Sequence, residues 1–291
     1  MYRETIKHVV KLLIYFLIYQ VVFSFVGFAC AALFAAFTGD VSVDNLIQSV
    51  SDGATMTSLM GNYATDGMAW GLLMSSLATM WHITHFGYFK FGKQPFSQVK
   101  GNVMLFSVVL VFASMLVFNL IAQWAGLSNE MELQMRALSR NAVGVLAIAV
   151  AGPILEEMLF RGAIQGYLMR KYKNPWVGIL VASFVFGLIH MNPIQVFYAT
   201  MLGVVFGWIY YRTGSLMPVV IGHVLNNSLA AMMMYSGLDA EERALSYSSE
   251  VTILIVSSVV AVVVAWLINK KQPAVPVPWS DASDDNSIIE G

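Results

Sequence analysis

Glu156 and Glu157 stand side by side in a run that is otherwise apolar from Val143 to Met169, and Arg161 follows one helical turn later. A charged residue at the centre of a membrane helix costs ~2.5–3.5 kcal/mol on insertion scales, so three in one helix require a use. The spacing divides them. Glu157 and Arg161 are four apart and face each other on a helix, whereas Glu156 lies about 100° round the axis from Glu157. Arg161 can therefore neutralise Glu157, leaving Glu156 to point elsewhere. Just upstream, Pro153 lacks a backbone donor and follows Gly152, which predicts a kink that turns the carboxylates inward. A buried ion pair holding helices together would explain Glu157 and Arg161. It does not explain the second glutamate.

Two further apolar runs carry polar groups that need partners. His190 ends the run Trp176–Ile189, with Phe186 four residues before it on the same face; His223 lies in a later run, with Asn227 four residues after it. A glutamate beside an imidazole can orient and deprotonate water. A second histidine with an asparagine one turn away can donate to a developing oxyanion. Alternatively, Glu156, His190 and His223 could hold a divalent metal such as zinc, which would itself acidify the water. Residue types alone leave both routes open.

The elements that must position these groups are membrane helices. Of 291 residues, 58% are hydrophobic and 11% charged, with a mean hydropathy of +0.68; soluble domains run near ~25% charged. Runs of roughly 20 apolar residues span a bilayer. Eight candidates follow, at 12–37, 67–87, 102–125, 142–169, 176–190, 194–211, 217–236 and 251–268. The expected fold class is an all-α polytopic membrane protein with about eight transmembrane helices. The first run is longer than the ~7–15 residues of a secretory signal core, which predicts an uncleaved first helix. Cationic residues alternate in density: Arg3, Lys7, Lys11, Lys90, Lys93, Lys100, Arg170, Lys171, Lys173, Arg212, Lys270 and Lys271 on one side, against Arg136, Arg140 and Arg243 on the other. This predicts cytoplasmic termini. A short interfacial helix is expected within 128–140, and a disordered tail over 272–291. The net charge of −1 offers no nucleic-acid footprint, and Cys30, the one cysteine, reads as an apolar helix residue.

Glu156-Glu157-x-x-x-Arg161, Phe186-x-x-x-His190 and His223-x-x-x-Asn227, in that order and each in its own apolar run, resemble the triple motif of the CPBP intramembrane proteases. That family includes the type II CAAX prenyl proteases and the Abi-type bacteriocin-immunity proteins. The resemblance covers about 142–236, with no departure at the matched positions. It implies a catalytic core at 142–236, preceded by helices at 1–141 and followed by a last helix at 237–271 and the tail. It further implies an intramembrane endopeptidase of a bacterial inner (plasma) membrane, acting on a membrane-associated protein or peptide. In that likeness Glu156 with His190 activates water, and His223 with Asn227 forms the oxyanion site. Glu157 belongs to the same catalytic group, and Arg161 and Phe186 support it. A metalloprotease mechanism and a glutamate mechanism are both held for the family.

Counting along the helices puts Glu156 ~20 Å from the outer end of its span and His190 ~20 Å from the inner face, a mismatch in depth. The expectation is that the Met191-Asn192-Pro193 turn is sunk in the bundle. His82 and His85 read as an interfacial belt more than a metal pair. Gly203 with Gly207, and Gly162 with Gly166, have close-packing spacing. Tyr210, Tyr211 and Arg212 read as an anchor at the cytoplasmic interface. Two other function classes compete: a non-catalytic scaffold that regulates a partner, and an ion- or proton-coupled transporter. The chain shows no inverted repeat, and its polar residues converge on one locus instead of lining a path.

Overall fold

A computed structural model describes residues 2–39, 42, 44, 62–89, 96, 99–172, 174–237 and 246–272. The predicted tail beyond Gln272 lies outside these residues, as does the acidic stretch 238–245. Nine helices are formed among the described residues: α1 Tyr2–Thr38, α2 Asn62–His85, α3 Gly101–Trp124, α4 Glu132–Ser139, α5 Ala142–Tyr172, α6 Pro175–Leu188, α7 Pro193–Thr213, α8 Met217–Ser236 and α9 Tyr247–Lys271. No strand occurs among them. The all-helical class expected from hydropathy is what the chain adopts.

Local chemistry sets the helix ends. Asn141 Oδ1 accepts from the Gly144 N–H at 2.8 Å and opens α5. Asn174 Oδ1 accepts from Trp176 N–H at 3.0 Å, with Pro175 in the first turn of α6 where a missing donor costs nothing. α7 starts at Pro193 and ends at Gly214, whose φ of 64° is the left-handed conformation that closes a helix.

Six helices are long and apolar enough to cross a membrane: α1 from Arg3, α3, α5, α7, α8 and α9. The two remaining expected spans fall short for different reasons. α6 has 14 residues, ~21 Å of rise against a hydrocarbon core of ~30 Å. α2 is long enough, but Ser75, Ser76 and Thr79 lower its hydropathy; each hydroxyl bonds back to a carbonyl of its own helix, at 2.7–2.9 Å. The short helix expected within 128–140 is α4.

The helices form two compact units. The first comprises 1–81, 132–155 and 227–240. In it α1 and α2 cross on glycine: a Cβ on Gly27 would strike the carbonyl oxygen of Gly67. Leu73 of α2 packs on Ala147 and Ala151 of α5, and Asn141 Nδ2 donates to Asp66 at 2.6 Å. The second unit comprises 82–131, 156–226 and 241–291. There α6 packs on α7 and on the C-terminal half of α5, while α3 packs on α7 and α9. Arg212, expected as an interface anchor, donates to the carbonyls of Asn269 and Gln272 at the end of α9. A cation is stabilised there by the unsatisfied carbonyls of a helix C-terminus. His82 stacks among aromatics, 4.6 Å from the Phe86 ring and 6.1 Å from Tyr88, while His85 meets the edge of Phe86. These surroundings fit the belt reading.

Candidate active site

α5 is not a uniform α-helix. Its bonds widen to i→i+5 over Leu146–Ala151 and again over Glu157–Gln165. Such π-turns are uncommon and recur at functional sites. Pro153 accounts for a consequence of the first. The Gly152 N–H reaches back to Ala147 O, so it does not serve Ile148. The next residue able to reach Ile148 O in a widened turn is Pro153, which has no N–H. The carbonyl of Ile148 is thus left without a backbone donor, and Asn227 Nδ2 supplies one at 3.0 Å. The disturbance expected at Gly152-Pro153 takes the form of a widened turn held by a side chain of α8.

The second widened segment carries the charges. Glu157 and Arg161 are both fully buried and pair at 3.0 Å between Nη1 and Oε1. The same Oε1 accepts from His223 Nδ1 at 2.8 Å. A carboxylate can only accept, so Nδ1 carries the hydrogen in this contact. Glu157 therefore fixes both the tautomer and the ring orientation of His223. The opposite ring nitrogen, Nε2, lies 3.5 Å from Glu156 Oε2, on a side chain 20% exposed. His223 stands between the two adjacent carboxylates. The second oxygen of Glu157, Oε2, is buried with no hydrogen-bond partner among the described residues.

Arg161 is held by more than Glu157. Its Nη2 donates to Gly203 O at 3.2 Å, and its guanidinium lies 4.6 Å from the Phe186 ring and 5.3 Å from the Phe206 ring. Two aromatic faces are a favourable desolvated setting for a guanidinium. One turn on, Gln165 Nε2 repeats the pattern and donates to Gly207 O at 2.9 Å. Gly203 and Gly207, read from their spacing as a helix-packing face, make room for these two side chains. A Cβ on Gly203 would lie 3.2 Å from Arg161 Nη2, and one on Gly207 2.8 Å from Gln165 Oε1. Gly162 instead receives the ring of Phe89.

His190 follows the end of α6 in a turn. Its Nδ1 contacts Phe186 O at 2.9 Å; a carbonyl only accepts, so Nδ1 donates and Nε2 of the neutral ring keeps its lone pair. The residues of this turn differ in burial. Asn192 is buried and donates to Asn129 Oδ1 at 2.9 Å, whereas Met191 is 81% exposed with a φ of 49°. The Phe186 ring joins the two histidines edge-on, 5.1 Å from His190 and 6.0 Å from His223. Phe206 packs against His223 at 5.0 Å.

The structure thus gathers Glu156, Glu157, Arg161, Phe186, His190 and His223 into one unit. Within it, His223 is the imidazole that contacts Glu156. Asn227 lies in the other unit, one turn beyond His223 on α8, with its amide engaged by Ile148. Among the described residues, no group of three or more His, Cys, Asp or Glu is arranged to hold a metal. Glu156, His190 and His223 do not form such a group in this structure. Sequence reasoning passed over Gln165, Phe206 and Asn129. Gln165 had a signal, being polar, in the apolar run and four residues after Arg161. Phe206 and Asn129 had none.

Residues 138–229 match the family model described as "Type II CAAX prenyl endopeptidase Rce1-like". The chain is 30% identical over 89 residues to "Putative membrane peptidase YdiL" of Bacillus subtilis, covering 31% of this chain and 36% of that protein. It is 28% identical over 149 residues to "UPF0177 protein YaiH" of Lactococcus lactis subsp. lactis, covering 49% of this chain and 61% of that one. The matches therefore span about a third and about three fifths of these relatives' lengths. No solved structure matches the chain. Residues 138–229, the stretch similar to the type II CAAX prenyl endopeptidase family, contain all seven polar and aromatic positions of the three motifs.

Proposed function

We propose that this protein is an intramembrane endopeptidase that hydrolyses a peptide bond of a membrane-associated protein or peptide with a glutamate-activated water. One observation carries the reading: His223 is held between two adjacent carboxylates in an otherwise apolar bundle, Nδ1 on Glu157 at 2.8 Å and Nε2 facing Glu156 at 3.5 Å. A buried structural ion pair has no need of Glu156, whose side chain is 20% exposed against 0% for Glu157.

The roles follow from what each atom can still do. Glu156 takes a proton from water, assisted by the Nε2 lone pair of His190, and the hydroxyl oxygen adds to the scissile carbonyl carbon. Negative charge then moves to the carbonyl oxygen. His223 enters the reaction with hydrogens on both ring nitrogens, Nδ1–H held by Glu157, and meets that charge through Nε2–H. Collapse of the tetrahedral intermediate breaks the C–N bond, and Glu156 returns its proton to the departing amine. Arg161 neutralises Glu157 and holds its rotamer, acting through it. Asn227 keeps the widened turn before Glu156 in shape through Ile148. The dry surroundings strengthen each of these interactions relative to water.

The proposed setting is a bacterial plasma membrane with both termini in the cytoplasm, as the cation distribution suggests. The test compares peptides released in cells expressing the wild type and Glu156→Ala at equal membrane levels. Products present only with the wild type support the reading, and identical peptide sets overturn it. Metal analysis of the active purified protein, before and after chelation, tests whether Glu156, His190 and His223 close on an ion in solution.

A further inference from the structure

We infer that the outer part of the α1–α2 pair binds a phospholipid with an ammonium headgroup. The observation is a groove of about 570 Å³, within the ~300–1,000 Å³ of small-molecule sites. It lies wholly within the first unit, apart from the candidate active site residues 156–223.

Its construction follows from sequence. Gly27, Ala31 and Gly67 form a floor of small residues, over which α1 and α2 approach until backbone meets backbone. The walls are two rows of larger side chains at four-residue spacing: Val26, Cys30 and Phe34 on α1, and Asp66, Trp70 and Met74 on α2. Four-residue rows run along a helix, so the slot is elongated, the shape of an alkyl chain. α1 is a membrane-crossing helix, and Phe34 and Trp70 are 59% and 51% exposed. The slot therefore opens to the lipid phase.

The head chemistry is set at one end. Asp66 reaches the groove beside Phe34, Tyr63 and Trp70, and the Phe34 and Tyr63 rings meet edge-to-face at 6.0 Å. The side-chain partner of Asp66 is an uncharged amide, Asn141. Among the described residues no lysine or arginine pairs with it. A carboxylate flanked by aromatic faces is the arrangement that recognises an alkylammonium group, and it repels a headgroup with net negative charge. Charge complementarity thus selects an amine lipid over an anionic one.

The chain's single cysteine lines this groove, so its alkylation reports occupancy at one known position. The full-length protein is reconstituted in bilayers of dioleoyl phosphatidylglycerol, with or without dioleoyl phosphatidylethanolamine. Two quantities are read: the rate of N-ethylmaleimide addition to Cys30, and the lipid retained in native mass spectrometry. The expected result is a slower Cys30 reaction when phosphatidylethanolamine is present, by about threefold or more, the scale of a cation–π contact. Preferential retention of that lipid should accompany it. Asp66→Asn, which keeps the side-chain volume, and Trp70→Ala should each remove both effects while Cys30 stays reactive. Equal retention of the two lipids overturns the inference. So does an unchanged preference in Asp66→Asn. A Cys30 unreactive in every bilayer and variant also overturns it, since the groove would then be covered by protein.

Discussion

The two histidines of the second unit are held in opposite ways. His223 is buried at 5% exposure in the middle of α8, and its Nδ1 donates to a fully buried carboxylate. His190 sits in the turn after α6, and its Nδ1 donates to a backbone carbonyl. A carboxylate favours the charged imidazolium, whereas a peptide carbonyl fixes the tautomer without adding a full negative charge. One ring is thus oriented by a carboxylate and the other by a backbone carbonyl. In the proposed reaction the two rings take different steps, and the partners of their Nδ1 atoms differ accordingly.

The largest effect should come from removing what balances Glu157. Arg161→Leu leaves a buried carboxylate with only a histidine, and breaking a buried pair costs about 3–5 kcal/mol. The variant should lose thermal stability in detergent and all cleavage; unchanged melting would mean that the pair is not buried in the working protein. Next, Glu157→Gln retains an acceptor for His223 Nδ1–H and removes the charge. Cleavage should fall by about 10–100-fold, the usual effect of losing a partner that orients a histidine, and the imidazole proton resonance of His223 should shift while that of His190 does not. Equal shifts in both rings would erase the contrast between them.

Asn227→Ala should cost about 1–3 kcal/mol by leaving the Ile148 carbonyl unsatisfied. Hydrogen exchange should quicken around Gly152–Glu156 and stay unchanged near His190; the reverse pattern would assign Asn227 elsewhere. The smallest effect is expected for Gly203→Ala, whose Cβ would press on Arg161 Nη2 at 3.2 Å and on Ser183 Cβ at 3.1 Å. An overpacked core site costs about 1–3 kcal/mol, here at the lower end because the guanidinium can shift. A destabilisation larger than that of Arg161→Leu would show that Gly203 acts on more than this side chain.

Much of this arrangement was legible in the chain. Helical class followed from composition, and the pairing of Glu157 with Arg161 followed from their spacing. That Glu156 and His223 need partners followed from how rare such residues are inside apolar runs, and the structure sets them 3.5 Å apart. Three features were not legible. The widened turns of α5 depend on which carbonyl Pro153 leaves without a donor and on what reaches it, a contact between residues 148 and 227 that local pattern does not contain. The role of Gly203 and Gly207 was half visible: their spacing predicted close approach, but not that Arg161 and Gln165 would use their carbonyls. The number of spans was not legible: six of the described helices are long and apolar enough to cross a membrane, and α6 is apolar but has 14 residues.

The central claim is that Glu156 activates the attacking water. The most direct measurement uses purified wild type and Glu156→Gln, reconstituted in bilayers with a peptide cleaved by the wild type, in heavy-oxygen water. The account predicts one heavy oxygen in each new carboxyl terminus with the wild type, and a rate lower by about 10²–10⁴-fold with Glu156→Gln at unchanged thermal stability. Cleavage by Glu156→Gln at the wild-type rate would contradict it.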